Sequence, residues 1–223
     1  MNFAMYFLLF MMYSVIGWIT ETIYVTIRSK KFVNRGFLLG PYCPIYGFGG
    51  MLVSILLVKY MDSPLVMFGM SIIIFSILEY FTSYILEKIF KTRWWDYSKR
   101  KYNINGRICL ETMIPFGILG MFVMYLVNPI LLKFVYSIPD NLLNVLSIII
   151  LIIFIIDNII SFEVVTKFVK DGKASLKDET VEIKNFAKQL LRSNSIFRKR
   201  LVNAFPNLKR KIGNLKERLE KDN

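Results

Sequence analysis

Residues 34–50 of this chain, NRGFLLGPYCPIYGFGG, decide how it can fold. They connect two hydrophobic stretches, and two prolines and four glycines lie between Gly36 and Gly49. Because proline lacks a backbone N–H and glycine costs backbone entropy, these residues cannot form one regular helix. Irregular backbone at membrane depth is tolerated only where it packs inside protein or lines a watery cavity. We therefore expect a functional site here, without knowing from the sequence what binds.

A partial copy of this pattern, NGRICLETMIPFGILG, occupies residues 105–120. Each copy follows a hydrophobic segment that contains a glutamate, Glu21 or Glu79, and runs through proline and glycine into another hydrophobic segment. The two hairpins run in the same direction, so a duplication would be a parallel repeat. Few residues are identical, and the sequence leaves open whether the repeat is genuine.

The composition indicates an integral membrane protein. Of 223 residues, 55% are hydrophobic, and the mean hydropathy is +0.47, which is unlike a soluble domain. The net charge of +13 would suggest nucleic acid in a soluble protein, but it is concentrated in short loops and a tail. The membrane surface explains that distribution better, and we expect no nucleic-acid partner.

The available side chains restrict the chemistry. The chain has no histidine and two cysteines, Cys43 and Cys109, which argues against a disulfide scaffold, a zinc site and histidine-based triads. We therefore expect no metal, no cofactor and no catalytic residue, and the balance is against an enzyme. No GxxxxGK[ST] motif occurs, so a transport function would need a separate ATPase subunit or self-association.

Five membrane spans are predicted from stretches of roughly 20 mostly apolar residues. We place them at about 3–27, 44–58, 64–90, 108–135 and 142–166. The second is short, as expected if its first turns belong to a broken helix. The fourth should be kinked by Pro115 and by Asn128-Pro129. The first lacks a basic leader and a cleavage site, so we expect it to remain as a span.

Lysine and arginine counts predict the orientation. The connections 28–35 and 88–107 hold four and seven basic residues, whereas 59–63 and 128–141 hold one each. We therefore expect a multi-pass protein, surrounded by lipid bilayer, with its N-terminus outside and its C-terminus in the cytoplasm.

The chain changes abruptly after the fifth span, and we predict a bundle at 1–166 and a cytoplasmic tail at 167–223. The tail holds sixteen basic and seven acidic residues, with apolar residues at helical spacing between them. It could be solvated and partly frayed, or it could form basic amphipathic helices on anionic lipids of the inner leaflet. We favour the second interpretation.

Acidic residues inside the membrane are functional candidates, because an intramembrane charge costs about 2.5–3.5 kcal/mol even on insertion scales. Four lie inside the predicted spans or at their inner margins: Glu21, Glu79, Glu111 and Asp157, the last with Ser161 one turn on. They could equally be structural, paired with arginines that close the bundle. We expect Arg35 to compensate Glu21, and Arg107 to compensate Glu79, in one cytoplasm-facing cleft.

The segment RWWDYS at 93–98 follows the third span. Trp and Tyr are enriched at membrane interfaces, so these residues could form an anchoring belt. Alternatively, Trp95 and Asp96 fold back over the cytoplasmic mouth of the bundle.

Five motifs stand out: Gly17-Trp18-x-x-Glu21, Asn34-Arg35-Gly36-Phe37-Leu38-x-Gly40-Pro41-x-x-Pro44-Ile45-Tyr46-Gly47-x-Gly49, Trp95-Asp96-Tyr97-Ser98, Asn105-x-Arg107-Ile108-Cys109-Leu110 and, in the tail, Ala204-Phe205-Pro206. Together they resemble the ABC-transporter type IV permease family of Firmicute-like bacteria. The resemblance implies a permease-like membrane component of a transport system in the bacterial inner membrane. Glu111-Thr112 departs from the pattern, in which small polar residues are more usual.

The sequence thus predicts an all-α integral membrane bundle of about five transmembrane helices with Gly/Pro-broken segments and a cytoplasmic helical tail. We expect a permease; the alternative is an enzyme or regulator acting on lipid head groups or lipid-linked intermediates. The candidate binding residues are Trp18, Glu21, Asn34, Arg35, Gly36, Gly40, Pro41, Pro44, Tyr46, Gly47, Glu79, Trp95, Asp96, Asn105, Arg107 and Glu111.

Overall fold

The computed structural model describes residues 2–30, 32–33, 35–36, 38–90 and 93–174. Candidate residue Asn34 and the predicted lipid-binding tail from 175 onward lie outside these residues.

The fold is all-α, as predicted, apart from one two-stranded hairpin. The elements in chain order are α1 (Phe3–Ser29), α2 (Pro44–Leu56), a 3₁₀ turn (Val58–Tyr60), α3 (Pro64–Phe90), β1 (Asn103–Ile104), β2 (Ile108–Cys109), α4 (Leu110–Phe122), a π-helical segment (Val123–Val127), α5 (Asn128–Tyr136) and α6 (Asp140–Ala174).

Four stretches of these helices are long and apolar enough to cross a membrane: Phe3–Ser29, Pro64–Phe90, Leu110–Tyr136 and Asp140–Glu163. The second predicted span, α2, has 13 residues and is about 20 Å long at 1.5 Å per residue. The hydrocarbon core is about 30 Å thick, so α2 alone is too short to cross it.

Helix regularity breaks before Pro129, one of the two places where the sequence predicted a kink. Proline has no N–H to bond the preceding turn, and the backbone widens into a π-helical segment in which Asn128 N–H donates to the carbonyl of Val123. Pro115 lies inside α4 without ending it.

Small residues let the paired helices approach closely, which is how membrane helices associate without a hydrophobic driving force between them. A Cβ added to Gly47 of α2 would lie 2.2 Å from Ser14 Oγ of α1. A Cβ added to Gly120 of α4 would lie 2.0 Å from Ser71 Oγ of α3. The serine–glycine contact thus occurs once in each hairpin.

The chain between α1 and α2 folds back into the bundle. Cys43 N–H donates to the carbonyl of Ser14 at 2.9 Å, and Ser14 lies fifteen residues before the end of α1 at Ser29. At 1.5 Å per residue, the chain returns about 22 Å along α1 before α2 begins. We call residues 30–43 the re-entrant segment. The bundle end that holds the C-termini of α1 and α3 is called the loop end.

Candidate functional site

Side chains of α1 satisfy the backbone at the start of the re-entrant segment. Val33 N–H donates to Thr26 Oγ1 at 3.2 Å, and Arg35 N–H donates to Thr22 Oγ1 at 3.4 Å. The two threonines are one helical turn apart, so they lie on the same face of α1. Backbone N–H groups at membrane depth must be hydrogen-bonded within the protein, and outside a helix the two threonine hydroxyls provide these acceptors.

Asp157 of α6 holds the other half of the segment. Its carboxylate accepts hydrogen bonds from Leu39 N–H at 2.8 Å, from Gly40 N–H at 2.7 Å and from the Tyr42 hydroxyl. Ser161, one turn on, donates to it at 2.8 Å. All four partners donate a hydrogen, so the carboxylate of Asp157 acts only as a hydrogen-bond acceptor. Asp157 is therefore the clamp of the re-entrant segment, a role that the sequence did not assign to it.

Two candidate glycines of the segment have steric reasons to be glycine. A Cβ on Gly40 would lie 2.2 Å from the Tyr42 ring. Gly36 has φ +90°, a conformation that L side chains rarely adopt. Two candidate prolines follow. Pro41 lies between Gly40 and Tyr42, and Pro44 is the first residue of α2, a position where a backbone N–H has no partner in the helix anyway.

The predicted pairing of Arg35 with Glu21 is confirmed. Arg35 Nε lies 3.3 Å from Glu21 Oε2, and the Tyr46 hydroxyl donates to Glu21 Oε1 at 2.6 Å. Tyr46 packs over Gly17, where an added Cβ would come within 2.1 Å of the ring. The ion-paired side chains are 27% and 29% exposed, so the pair lies at the edge of the bundle and not in its core. Trp18 lies half-buried on the next position of α1.

The predicted pairing of Arg107 with Glu79 is wrong. Arg107 Nη2 lies 2.7 Å from Glu87 Oε2, two turns nearer the end of α3, and its guanidinium stacks on Tyr80 and Tyr84 at 5.5 Å. The reason is the β1–β2 hairpin, which holds Arg107 over the last turns of α3.

That hairpin is built on Asn105-Gly106. These residues have φ of 53° and 67°, the left-handed values found at the two central positions of a type I′ turn, and Arg107 N–H closes the turn on the carbonyl of Ile104 at 3.0 Å. Asn105 Nδ2 also donates to the Tyr80 hydroxyl at 2.9 Å. A Cβ on Gly106 would lie 2.8 Å from Asp96 Oδ1, so the turn also packs against the chain before it.

Glu79 instead contacts the loop that follows α3. The Tyr97 hydroxyl donates to Glu79 Oε1 at 3.2 Å. Burial raises the pKa of Tyr97, and the carboxylates of Glu79 and Glu21 raise it further. The glutamates of the two hairpins thus both act electrostatically on one hydroxyl. We call Glu21, Arg35, Tyr46, Glu79 and Tyr97 the polar cluster.

The RWWDYS segment folds back onto the bundle, in agreement with the second interpretation of the sequence. Trp95 Nε1 donates to the carbonyl of Arg107 at 3.0 Å, and Tyr97 N–H donates to the carbonyl of Gly106 at 2.8 Å. Asp96 accepts from Ser98 N–H at 3.0 Å, and this bond, with Arg93 nearby, lowers the pKa of Asp96. These contacts of Asp96 lie within its own loop and the neighbouring hairpin.

Glu111 lies apart from the cluster. It pairs with Arg100 at 2.9 Å, and both side chains are more than half exposed, so the pair adds little stability. Within the described part of the chain, no three His, Cys, Asp or Glu side chains come together as a metal site would require.

Thr22, Thr26 and Glu87 were not among the candidate residues predicted from the sequence. The two threonines carried a signal, since they stand at i and i+4 on the helix that precedes the broken segment. Glu87 could not have been chosen, because its role depends on how the following loop folds.

A double-mutant cycle separates these pairings. Glu21→Gln and Arg35→Ala should be coupled by about 1 kcal/mol, because each single change leaves a half-buried charge without its partner. Glu87→Gln and Arg107→Ala should be coupled as well. The stability changes caused by Glu79→Gln and by Arg107→Ala should be additive to within about 0.5 kcal/mol. Melting temperature in detergent is the measurement, and coupling in the Glu79 cycle would contradict this assignment.

The fold and the polar cluster define a multi-pass α-helical membrane protein built around a re-entrant segment. Residues 8–162 match the family described as "Putative ABC-transporter type IV". The match covers more than half of the chain, which therefore belongs to this family. Comparison with curated proteins finds no match, and comparison with solved structures finds none either.

Proposed function

We propose that the chain is the membrane permease component of an ABC-type transport system, in which the polar cluster lines a cytoplasm-facing cleft. The observation that carries the proposal is the re-entrant segment, held at mid-bundle by Asp157 beside the ion pair of Glu21 and Arg35. Transporters build substrate sites from broken helices and buried charge in this way. Family membership supports the same class.

The distribution of charge supports placing the loop end in the cytoplasm. Among the described residues, nine basic side chains belong to the connections at this end, and two belong to those at the other. The nine are Arg28, Lys30, Arg35, Lys88, Arg93, Lys99, Arg100, Lys101 and Arg107; the two are Lys59 and Lys133. The side rich in Lys and Arg is normally cytoplasmic.

Site-directed labelling tests orientation and partner together. Lys99 and Asp62 are exposed at opposite ends, and Cys43 and Cys109 are both buried, so Lys99→Cys and Asp62→Cys give matched probes over a low background. With a membrane-impermeant maleimide, we expect Asp62→Cys to react in intact cells and Lys99→Cys only in inverted vesicles. Reaction of Lys99→Cys from outside would overturn the orientation.

The same two variants, expressed from the native locus, test for the ATPase. A cysteine-directed crosslinker should join Lys99→Cys to a subunit that carries a nucleotide-binding motif, identified by mass spectrometry, and should not do so from Asp62→Cys. Crosslinks only between copies of this chain would favour self-association. If neither adduct forms in native membranes, the ABC-type assignment fails.

A second function, chemistry on lipid head groups, is favoured by one observation. The two glutamates each accept a tyrosine hydroxyl, Tyr46 on Glu21 and Tyr97 on Glu79, and such pairs can exchange protons with a substrate. Comparing lipid extracts of cells carrying Glu21→Gln with wild type discriminates the two functions. An altered head-group profile without any ATPase adduct would favour the enzyme.

The tail is proposed as the contact with anionic lipid. A peptide of residues 175–223 should bind vesicles that contain anionic lipid and should dissociate as salt is raised, because surface electrostatics are screened within about 8 Å at physiological ionic strength. Vesicle co-sedimentation measures this, with uncharged vesicles as the control. Binding that ignores salt, or no binding, would exclude the inner-leaflet interpretation.

A further inference from the structure

Among the acidic residues near the loop end, Glu79 differs from four others in having no described basic side chain as an ion-pair partner. Glu21, Glu87, Asp96 and Glu111 each have an arginine within 3.5 Å. Glu79 has no lysine or arginine at salt-bridge distance among the residues that the structure describes. Its expected partner, Arg107, is held elsewhere by Glu87 and by the rings of Tyr80 and Tyr84.

The two oxygens of Glu79 are also unequal. Oε1 accepts from the Tyr97 hydroxyl, whereas Oε2 is fully buried and has no hydrogen-bond partner in the described structure. One turn earlier on α3, Ser76 is 5% exposed, and its Oγ is likewise without a partner. Buried polar atoms are almost always bonded, so two unpartnered oxygens one turn apart on α3 mark a candidate binding site.

The contacts of Glu79 favour a proton. Tyr97 donates its hydroxyl to Oε1 from the loop after α3, and the other carboxylate of the polar cluster, Glu21, is ion-paired with Arg35. No described lysine or arginine compensates a negative charge on Glu79, and an uncompensated charge inside a membrane is costly. A protonated carboxyl keeps Oε1 as acceptor for Tyr97 and gives Oε2 a hydrogen to donate.

We propose that Glu79 is a proton-binding site inside the bundle, which takes up and releases H⁺ at the loop end. The proposed route for exchange is the partly exposed ion pair of Glu21 and Arg35 in the same polar cluster. The inference rests on the proposed function, since it assigns a ligand to the same polar cluster. A proton is a common coupling ion of membrane sites with intramembrane carboxylates.

A hydrophobic carbodiimide, dicyclohexylcarbodiimide, tests this on the purified full-length protein. The acid proton of a neutral carboxyl moves to a carbodiimide nitrogen while its oxygen bonds to the central carbon. The acyl group then migrates to nitrogen, which leaves a stable N-acylurea and releases nothing. Peptide mass spectrometry locates the adduct, and Glu87, on the same helix with two arginine partners, is the internal control.

We expect at least about tenfold more label on Glu79 than on Glu87, equivalent to about 1.4 kcal/mol between the two carboxyl groups, and less label as the pH is raised. Tyr97→Phe should increase the label, because it removes a donor to the ionised form. Glu79→Gln should abolish the label and leave the melting temperature equal or higher, which shows that the carboxylate is not a structural anion.

Equal labelling of Glu79 and Glu87, or no labelling of Glu79 at any pH at which the protein stays folded, would overturn the proposal. Protection by sodium chloride but not by choline chloride would also overturn it, since a metal ion would then occupy the site. None of these results depends on the ATPase crosslink, so the two proposals can fail separately.

Discussion

Replacing Asp157 with asparagine is expected to destabilise the protein by about 3 kcal/mol or more, since hydrogen bonds to a charged group contribute about 1.5–3 kcal/mol each. The carboxylate faces four donors, and Oδ2 alone accepts from Gly40 N–H and from the Tyr42 hydroxyl. An amide turns one oxygen into an NH₂ group, which cannot accept. The re-entrant segment would then have an unsatisfied backbone N–H in a membrane, where water does not replace the lost partner.

The neighbouring residue provides the control. Asn158 is half-buried, and its Nδ2 donates to the carbonyl of Phe154 at 2.7 Å within the same helix. Asn158→Ala should therefore change stability by about 1 kcal/mol or less. The measurement is the melting temperature of each variant in detergent together with the yield from membranes. If Asp157→Asn and Asn158→Ala melt alike, Asp157 is not the clamp.

Replacing Gly17 with alanine should cost about 2–3 kcal/mol, near the top of the range for overpacking a close contact. The new Cβ would lie 2.1 Å from Tyr46 Cγ and 2.3 Å from its Cβ. These are the atoms nearest the backbone, so the side chain cannot swing away without moving α2. Moving α2 would also draw the Tyr46 hydroxyl away from Glu21, so one methyl group should disturb the polar cluster.

The same substitution on α3 should have the opposite sign. Gly69 lies within that helix, and an added Cβ would have no atom within 4 Å. Gly69→Ala should thus stabilise by about 0.5–1 kcal/mol, the helix propensity difference between the two residues. Thermal melts of both variants decide the matter. Equal effects of the two substitutions would mean that the α1–α2 contact is looser than described.

Local sequence features predicted the helices well. The third span was placed at 64–90 and is found at Pro64–Phe90, because proline starts it and hydropathy runs unbroken to its end. The glycines at the start of α2 predicted that this helix is short. The sequence did not predict how deeply the re-entrant segment enters the bundle, because that depth depends on the hydrogen bond between Cys43 and Ser14.

The site was predictable only where partners are near in sequence. Arg35 and Glu21 are fourteen residues apart across one hairpin, and their pairing followed from that hairpin alone. Arg107 was assigned to the wrong glutamate because the turn at Asn105-Gly106 was not recognised, although this dipeptide is a strong hairpin signal. The contact of Asp157 with Leu39 joins residues 118 positions apart, which no local pattern can indicate.

The clamp also sets an order for assembly in the membrane. The N–H groups of Leu39 and Gly40 are synthesised early, and the carboxylate that satisfies them is more than a hundred residues later in the chain. Until α6 inserts, the first hairpin carries unsatisfied backbone next to a helix too short to cross the bilayer alone. The last helix to be made therefore completes the first hairpin, and a ribosome-bound chain that lacks α6 should be a preferred substrate for membrane quality control.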